Sequence, residues 1–221
     1  MTKIAIDGPA GAGKSTISKK VAKELGFVYI DTGAMYRAVG LKAVRCGVDT
    51  KDREGVVALL PHLDIDIRHE GVEQYIYLDG ENVSDKIRTP EISMAASNVS
   101  AIPEVRVAMV DMQRKLASNH DVVMDGRDIG TFVLPDAQIK IFLTASVDAR
   151  AKRRYDELIE KGADVKFEDV RSEMELRDKN DSTREVSPLK VADGARIIDT
   201  SELSLEDSIK AVADYVRSNL K

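Results

Sequence analysis

Apolar residues recur along this chain in two rhythms, one of short blocks and one with a period near four. Ile4 and Ile6 form a short apolar run, followed directly by the glycine-rich stretch Gly8 to Gly13. Ile17, Val21 and Leu25 then recur every fourth residue, and Gly26 supplies a stop signal. This predicts strand, tight loop, helix. A second run, Phe27 to Ile30, ends at Asp31, and helical character from Gly33 to Cys46 closes at Gly47. Residues 121–124 and 139–144 read as buried strands, as does Arg196-Ile197-Ile198-Asp199. Helical patterns fall at about 147–161, 167–180 and 204–219. The last opens with Ser204 and Asp207, spaced as a capping pair, and carries Ile209, Val212 and Val216 along one face. Strands alternating with helices predict βαβ units and an α/β protein with a parallel sheet covered on both faces.

One segment breaks the rhythm. Leu63 to Ile67 and Gln74 to Leu78 alternate with period two, and Asp79-Gly80 is a hairpin-type turn. Residues 61–85 are therefore expected to form a small antiparallel patch inserted in the α/β core, with a helix near 88–100 after it. Pro103 suits the first turn of a further helix ending near Ser118.

Composition narrows the classes of function. At 221 residues, the chain fits one large domain or one with an insertion, by the rule of roughly 150 residues per domain. Its 33 Lys+Arg against 38 Asp+Glu leave −5, which argues against a general nucleic-acid surface, where phosphate neutralisation dominates affinity. Cys46 is the single cysteine, so no internal disulfide forms, and its place at a helix end reads as small packing residue. His62, His69 and His120 are scattered without ligand spacing and read as surface residues. No apolar run approaches the ~20 residues of a membrane span, and no secretory leader is visible. The expectation is a cytoplasmic protein without membrane or nucleic-acid partner, and a monomer, since no heptad demands a second copy.

Gly8-Pro9-Ala10-Gly11-Ala12-Gly13-Lys14-Ser15 fits G-x-x-x-x-G-K-[ST] at every fixed position. Such a loop curls around phosphate with its N–H groups turned inward, which glycines permit, and the following helix aims its N-terminus at the same anion. Lys14 can reach the β- and γ-phosphates, and the Ser15 hydroxyl is placed to ligate Mg²⁺. The match falls between an expected strand and an expected helix, the context that distinguishes it from an ordinary turn. Asp125, at the end of a buried strand, is a candidate second Mg²⁺ ligand, with a structural partnership to Arg127 as the alternative.

Two classes of such proteins remain open at this point, a nucleotide-switched binding protein or motor and a kinase for a small acceptor. No N-K-x-D guanine-reading segment is found. Arg150, Arg153 and Arg154 stand at i, i+3 and i+4 on one helix face, and Arg177, Asp181 and Arg184 at i, i+4 and i+7 share another if their helix continues. Each group alone is compatible with a solvated ion-paired surface. Together, in a phosphate-loop chain, they favour clamping of phosphates.

The motifs then become specific. Gly8 to Thr16, Asp31-Thr32-Gly33-Ala34-Met35-Tyr36-Arg37, Asp125-Gly126-Arg127-Asp128, and Arg177-Asp178 with Asp181 and Arg184 before Ser187-Pro188-Leu189 stand in the order of bacterial cytidylate kinases, which the chain resembles over nearly its whole length. The resemblance implies a P-loop core with a five-stranded parallel sheet of order 2-3-1-4-5 and a single kinase domain. Its core would span about 1–60 and 101–221, with an enlarged monophosphate-binding insertion at about 61–100 and a lid at about 148–162. It implies transfer of the γ-phosphate of ATP to CMP or dCMP with Mg²⁺. Carried over residue by residue, Gly8 to Thr16 would hold the ATP phosphates, and Arg150, Arg153 and Arg154 would close over ATP as part of the lid. Thr32, Arg37 and Arg127 would approach the CMP phosphate, and Ser97, Arg106 and Asp128 would read cytosine. Arg177 and Asp181 would contact the sugar side, with Arg184 bridging nucleotide and phosphates. Lys14, Arg127 and Arg184 would be catalytic, and Tyr36 would serve as ligand contact or packing residue. Two departures are visible: Thr32 stands where many members have Ser, and Asn180 replaces an Arg of the R-D-x-R-D pattern.

Overall fold

The alternation of strand and helix is realised in a computed structural model that describes residues 1–71 and 73–220. Val72, inside the anticipated antiparallel patch, and Lys221 lie outside the described residues. In chain order the elements are β1 (Lys3–Asp7), α1 (Lys14–Leu25), β2 (Val28–Asp31), α2 (Thr32–Arg45), α3 (Arg53–Leu59), β3 (Ile65–Glu70), β4 (Glu73–Leu78), β5 (Glu81–Asn82), α4 (Pro90–Val99) and α5 (Pro103–Ala117). Then follow β6 (Val122–Gly126), a π-type turn (Ile129–Val133), β7 (Ile139–Thr144), α6 (Val147–Glu160), α7 (Phe167–Thr183), β8 (Arg196–Asp199) and α8 (Leu205–Asn219).

Strands β2-β6-β1-β7-β8 form one five-stranded sheet, all pairs parallel, which is the order 2-3-1-4-5 that the resemblance implies. Alternation within the strands divides the core between its faces. Ile4, Ile6, Ile139 and Ile141 pack with Ile17 and Val21 of α1 and Val212 and Val216 of α8. Ala5, Ile30, Val122 and Met124 turn the other way, toward Val110 and Ala117 of α5 and Ile129 and Val133 of the π-type turn. Burial of each such large aliphatic contributes about 1.5–3 kcal/mol before chain entropy is subtracted.

Strands β3-β4-β5 form the separate antiparallel sheet anticipated at 61–85. It closes no core of its own. Ile76 and Leu78 share a cluster with Met35 and Val39 of α2, Ile92 and Val99 of α4, and Met109 of α5. The antiparallel sheet also covers the open edge of β2: Gln74 Oε1 accepts from Asp31 N–H at 2.9 Å, and His69 Nε2 bonds the Tyr29 carbonyl oxygen at 2.9 Å.

Four local expectations need correction. Strand β8 is not buried: it is the sheet edge, and Ile197 is 54% exposed. Cys46 does not pack but caps α2 from an exposed position. His69 is half-buried and bonded rather than a free surface residue. Helix α7 stops at Thr183, so Arg184 is its extended C-cap (φ −61°, ψ 145°) and does not continue the helical face of Arg177 and Asp181. Helix α3 carries no periodic apolar signal and went unanticipated; only its Val56 is buried.

Candidate active site

At the carboxyl ends of the parallel strands lies a cavity of about 860 Å³, where open α/β sheets take their ligands. Its floor is the phosphate loop. Gly8 (φ +151°) has no room for a side chain: a Cβ there would stand 1.9 Å from the Leu143 carbonyl oxygen. Gly13 caps α1 in the left-handed region (φ 85°) and makes no side-chain cap, so the first N–H groups of the helix are left for an anion. Lys14 is buried and donates from Nζ to the Pro9 carbonyl at 2.7 Å. Burial, and then the nearby Arg127 guanidinium, hold its ammonium well below the ordinary lysine range.

Beside the loop, Ser15 Oγ donates to Asp125 Oδ2 at 3.0 Å, and buried Tyr29 donates its hydroxyl to Asp125 Oδ1 at 2.9 Å. Burial, then the charge of Asp31, pushes the Asp125 carboxyl up to about 6. Gly126 follows as a backbone-only position: a Cβ would meet Thr32 Oγ1 at 2.7 Å, the hydroxyl that donates to the Asp125 carbonyl at 2.7 Å. Asp31 caps α2 through the Ala34 N–H at 2.9 Å and faces Arg37 Nη1 at 3.8 Å.

The far wall is a network of alternating charge. Arg106, at 1% exposure among the most buried side chains of the molecule, pairs through Nη2 with Asp128 Oδ2 and donates from Nη1 to the Ser100 carbonyl at 3.2 Å. Asp128 Oδ1 faces Arg184 Nη2 at 3.4 Å. Arg184 is fixed by donation from Nε to the Ser187 carbonyl at 2.6 Å, which Ser187 presents through its left-handed backbone (φ 50°). Arg127 Nε donates to Asp181 Oδ2 at 2.7 Å. Against the cost of burial, Arg127 and then Arg184 keep the Asp181 carboxyl low. Burial, then Arg127, brings Arg177 down to about 10. Several polar atoms of this wall make no hydrogen bond among the described residues: Ser97 Oγ, Tyr36 Oη, Arg106 Nε and Arg177 Nε, together with Arg37 Nη1 and Arg184 Nη2, which only face a carboxylate across a looser ion pair. Buried donors without acceptors cost about 1–3 kcal/mol each, a cost that an anionic polar ligand would relieve.

The structure thus brings the sequence-derived candidates to one cavity: Ala10 to Thr16, Thr32, Tyr36, Arg37, Ser97, Arg106, Asp125, Arg127, Asp128, Arg150, Arg153, Arg154, Arg177, Asp181 and Arg184 all line it. Gly8 and Pro9 do not; they form the foot of the loop. The three α6 arginines differ in state. Arg150 is buried, donating to the Ala10 carbonyl at 3.0 Å and to Asp178 through both terminal nitrogens. Arg153 is bonded to the Thr200 carbonyl, and Arg154 reaches Glu157 at 2.8 Å on its own helix. Arg88, Ser93, Ser100, Met174 and Leu203 to Leu205 also line the cavity and were not anticipated. Ser93 and Ser100 share the cavity face of α4 with Ser97, a spacing of i, i+4 and i+7 that could have revealed them; Arg88 had no motif around it.

A phosphate loop at the head of a 2-3-1-4-5 sheet, facing a wall of half-satisfied arginines, defines a P-loop kinase. The comparisons narrow this. The family model for cytidylate kinase matches residues 4–218. The chain is 55% identical to the cytidylate kinase of Caldanaerobacter subterraneus subsp. tengcongensis, over 99% of this chain and 96% of that one. It is 48% identical to the cytidylate kinase of Lactobacillus johnsonii, over 100% of this chain and 96% of the relative. Among solved structures, shikimate kinase from Bacteroides thetaiotaomicron superposes with a TM-score of 0.50 at 14% identity, covering 98% of both chains, which shows the shared fold alone. The chain belongs to the cytidylate kinase family.

Proposed function

We propose that the protein transfers the γ-phosphate of ATP to CMP, and to dCMP, giving the diphosphate and ADP as a single-domain monomer in the cytoplasm, with no nucleic-acid or membrane partner. Family membership supports the reaction, and the observation that carries the assignment of residues is the continuous cavity. One end is a phosphate loop, and the other holds an Arg106–Asp128 pair at its base. Such a continuous cleft suits two nucleotides end to end.

Gly8 to Thr16 hold the ATP phosphates, and Arg154, the least constrained of the α6 arginines, closes over them with Arg153, on a base that Arg150 anchors beside the loop. Thr32, Arg37 and Arg127 take the acceptor phosphate, Arg177 and Asp181 the sugar, and Arg184 spans toward the transferred group. Ser97, Arg106 and Asp128 read the base, with Tyr36 as its packing wall. The acceptor phosphate is largely dianionic near pH 7, so no general base is needed. What the site must supply is alignment of two repelling phosphates and neutralisation of developing charge. The arginine fork suits this, gripping two oxygens at once. Bound phosphate would favour the Lys14 ammonium, against the burial and the Arg127 charge that disfavour it in the free cavity. Ser15 Oγ in the first turn of α1 and Asp125 Oδ2, 3.0 Å apart, fit Mg²⁺, which takes one or two protein oxygens and completes its shell with phosphates and water. When bound there it would neutralise charge on the ATP phosphates.

A coupled ADP-release assay with ATP and each nucleoside monophosphate in turn tests the reading: CMP and dCMP should be turned over far better than AMP or GMP. Lys14→Ala should reduce CMP turnover by about 10²–10⁴ while leaving the melting temperature nearly unchanged. Equal activity of that variant, or turnover with no monophosphate, would overturn the assignment.

A further inference from the structure

We propose that Asp7, which does not line the cavity, is the positioning residue for base recognition: its carboxylate caps the turn after Asp128 and so releases and aims the Asp128 side chain. The inference rests on the reading of Asp128 given above.

An aspartate at a helix start ordinarily turns its side chain back onto the N–H groups of its own first turn. Asp128 occupies that position for the π-type turn Ile129–Val133 and makes no such bond. Its oxygens are directed instead to Arg106 and Arg184. The first two N–H groups of that turn are nevertheless satisfied from elsewhere. Asp7 Oδ1 accepts from Ile129 N–H at 2.7 Å, and Asp7 Oδ2 accepts from Gly130 N–H at 2.8 Å. The cap therefore comes from a different strand, 122 residues earlier in the chain.

The register explains why this position can serve. Asp7 is the last residue of β1, paired with Gly126 on one side and Phe142 on the other, so its side chain emerges where β6 gives way to the turn. It is 2% exposed, and both oxygens are used. Nothing else among the described groups donates a hydrogen bond to it. The Ile129 N–H belongs to the same peptide plane as the Asp128 carbonyl, so holding that N–H fixes the peptide on which the Asp128 side chain pivots. Asp128 is held in an uncommon backbone conformation (φ −146°, ψ 26°), which such an external tether stabilises. Burial pushes the Asp7 carboxyl up to about 6, its two backbone donors working in the opposite direction. A fully buried charge kept at the end of β1 is costly, and the tether accounts for its presence.

The test compares kcat/KM for CMP and for UMP, each at saturating ATP, in the parent, Asp7→Asn, Asp128→Asn and the double variant. Taking the ratio of the two substrates cancels any effect of the lost charge on Lys14 or on ATP. Asp128→Asn should lower the CMP-to-UMP ratio by about tenfold or more. Asp7→Asn swaps one acceptor for a donor facing an N–H, and should lower the ratio by about fivefold or more. In the double variant Asp7→Asn should add less than about twofold, since it acts through Asp128. A ratio that collapses in Asp128→Asn and holds in Asp7→Asn overturns the positioning role while the reading of the base stands. A ratio that holds in both overturns the reading of the base and the tether with it. Should Asp7→Asn fail to fold, Asp7→Ser, with one acceptor and room for a water, takes its place. Independently of any variant, the Ile129 and Gly130 amides of the unliganded parent should exchange with solvent as slowly as the β6 amides. Rapid exchange there would also sink the proposal.

Discussion

Asp125 shows at the scale of one residue how the site trades stability for chemistry. Its carboxyl is pushed up to about 6 by burial and by Asp31, against 3.8 for the ordinary group. The folded state therefore takes up this proton more readily than the unfolded chain does. Below about pH 4 both states are protonated and the group costs nothing; as pH rises through 6 the ionised carboxylate penalises the fold. Asp125→Asn removes the titration. In the presence of a chelator, the stability of this variant relative to the parent should rise between pH 4.5 and pH 7.5, by on the order of 2 kcal/mol. Asp7 titrates in the same range but is present in both proteins, so it drops out of the difference. Urea melts across that range measure it, and a difference that stays flat would show that Asp125 pays no penalty for its place.

The α6–α7 hairpin raises the same question for a whole element, because the proposed closure over ATP needs part of it to be loose. Its base is not loose: Arg150 is clamped to Ala10 and Asp178, and its charge is compensated before any nucleotide arrives. Mutual repulsion of Arg150, Arg153 and Arg154 is therefore largely relieved in the free protein by their bonds to Asp178, Thr200 and Glu157. The distal part is held more thinly, by the edge-to-face pair of Tyr155 and Phe167 (ring centroids 6.0 Å apart) and by Leu158 and Val170. On adding a bisubstrate analogue, amide exchange should slow across about 152–166 and change little at 147–151. Uniform behaviour along α6, slowed everywhere or nowhere, would argue against a hinge at Arg150. The helix itself was legible in the arginine spacing and its apolar face. Its anchoring was not, since the acceptors are a carbonyl 140 residues earlier and a carboxylate on the next helix. The same limit explains β8: Ile197 and Ile198 look like core in the sequence, and only the strand order makes their strand an edge. Asp7 carries no sequence signal of its part in the site, because its partners follow β6.

Across the whole molecule the charge is unevenly divided, and net charge conceals it. The cavity is lined by ten lysines and arginines against five carboxylates, a local excess of +5 in a chain of −5, which leaves −10 for the rest. Strand alternation and the phosphate loop made the fold class legible, and the arginine spacings pointed to phosphate. No periodicity could show that Arg37 of α2, Arg106 of α5, Arg127 after β6 and Arg184 after α7 converge, because the crossovers of the sheet bring them together. That convergence has a kinetic consequence. A cleft with a net positive excess in an otherwise acidic surface focuses the field, drawing polyanions inward and disfavouring approach elsewhere. Raising the salt from roughly 0.05 M to 0.5 M shrinks the screening length from above about 10 Å to well below it. The association rate of a fluorescent ATP analogue, followed by stopped flow, should then fall by about tenfold or more. The dissociation rate should change far less, because contacts inside the cavity are short and shielded from the added ions. Arg154→Gln, at the accessible side of the lid, should weaken the salt dependence of association without altering the fold. If salt acts on dissociation alone, the arginines hold nucleotides without steering them, and the uneven division of charge serves only the bound state.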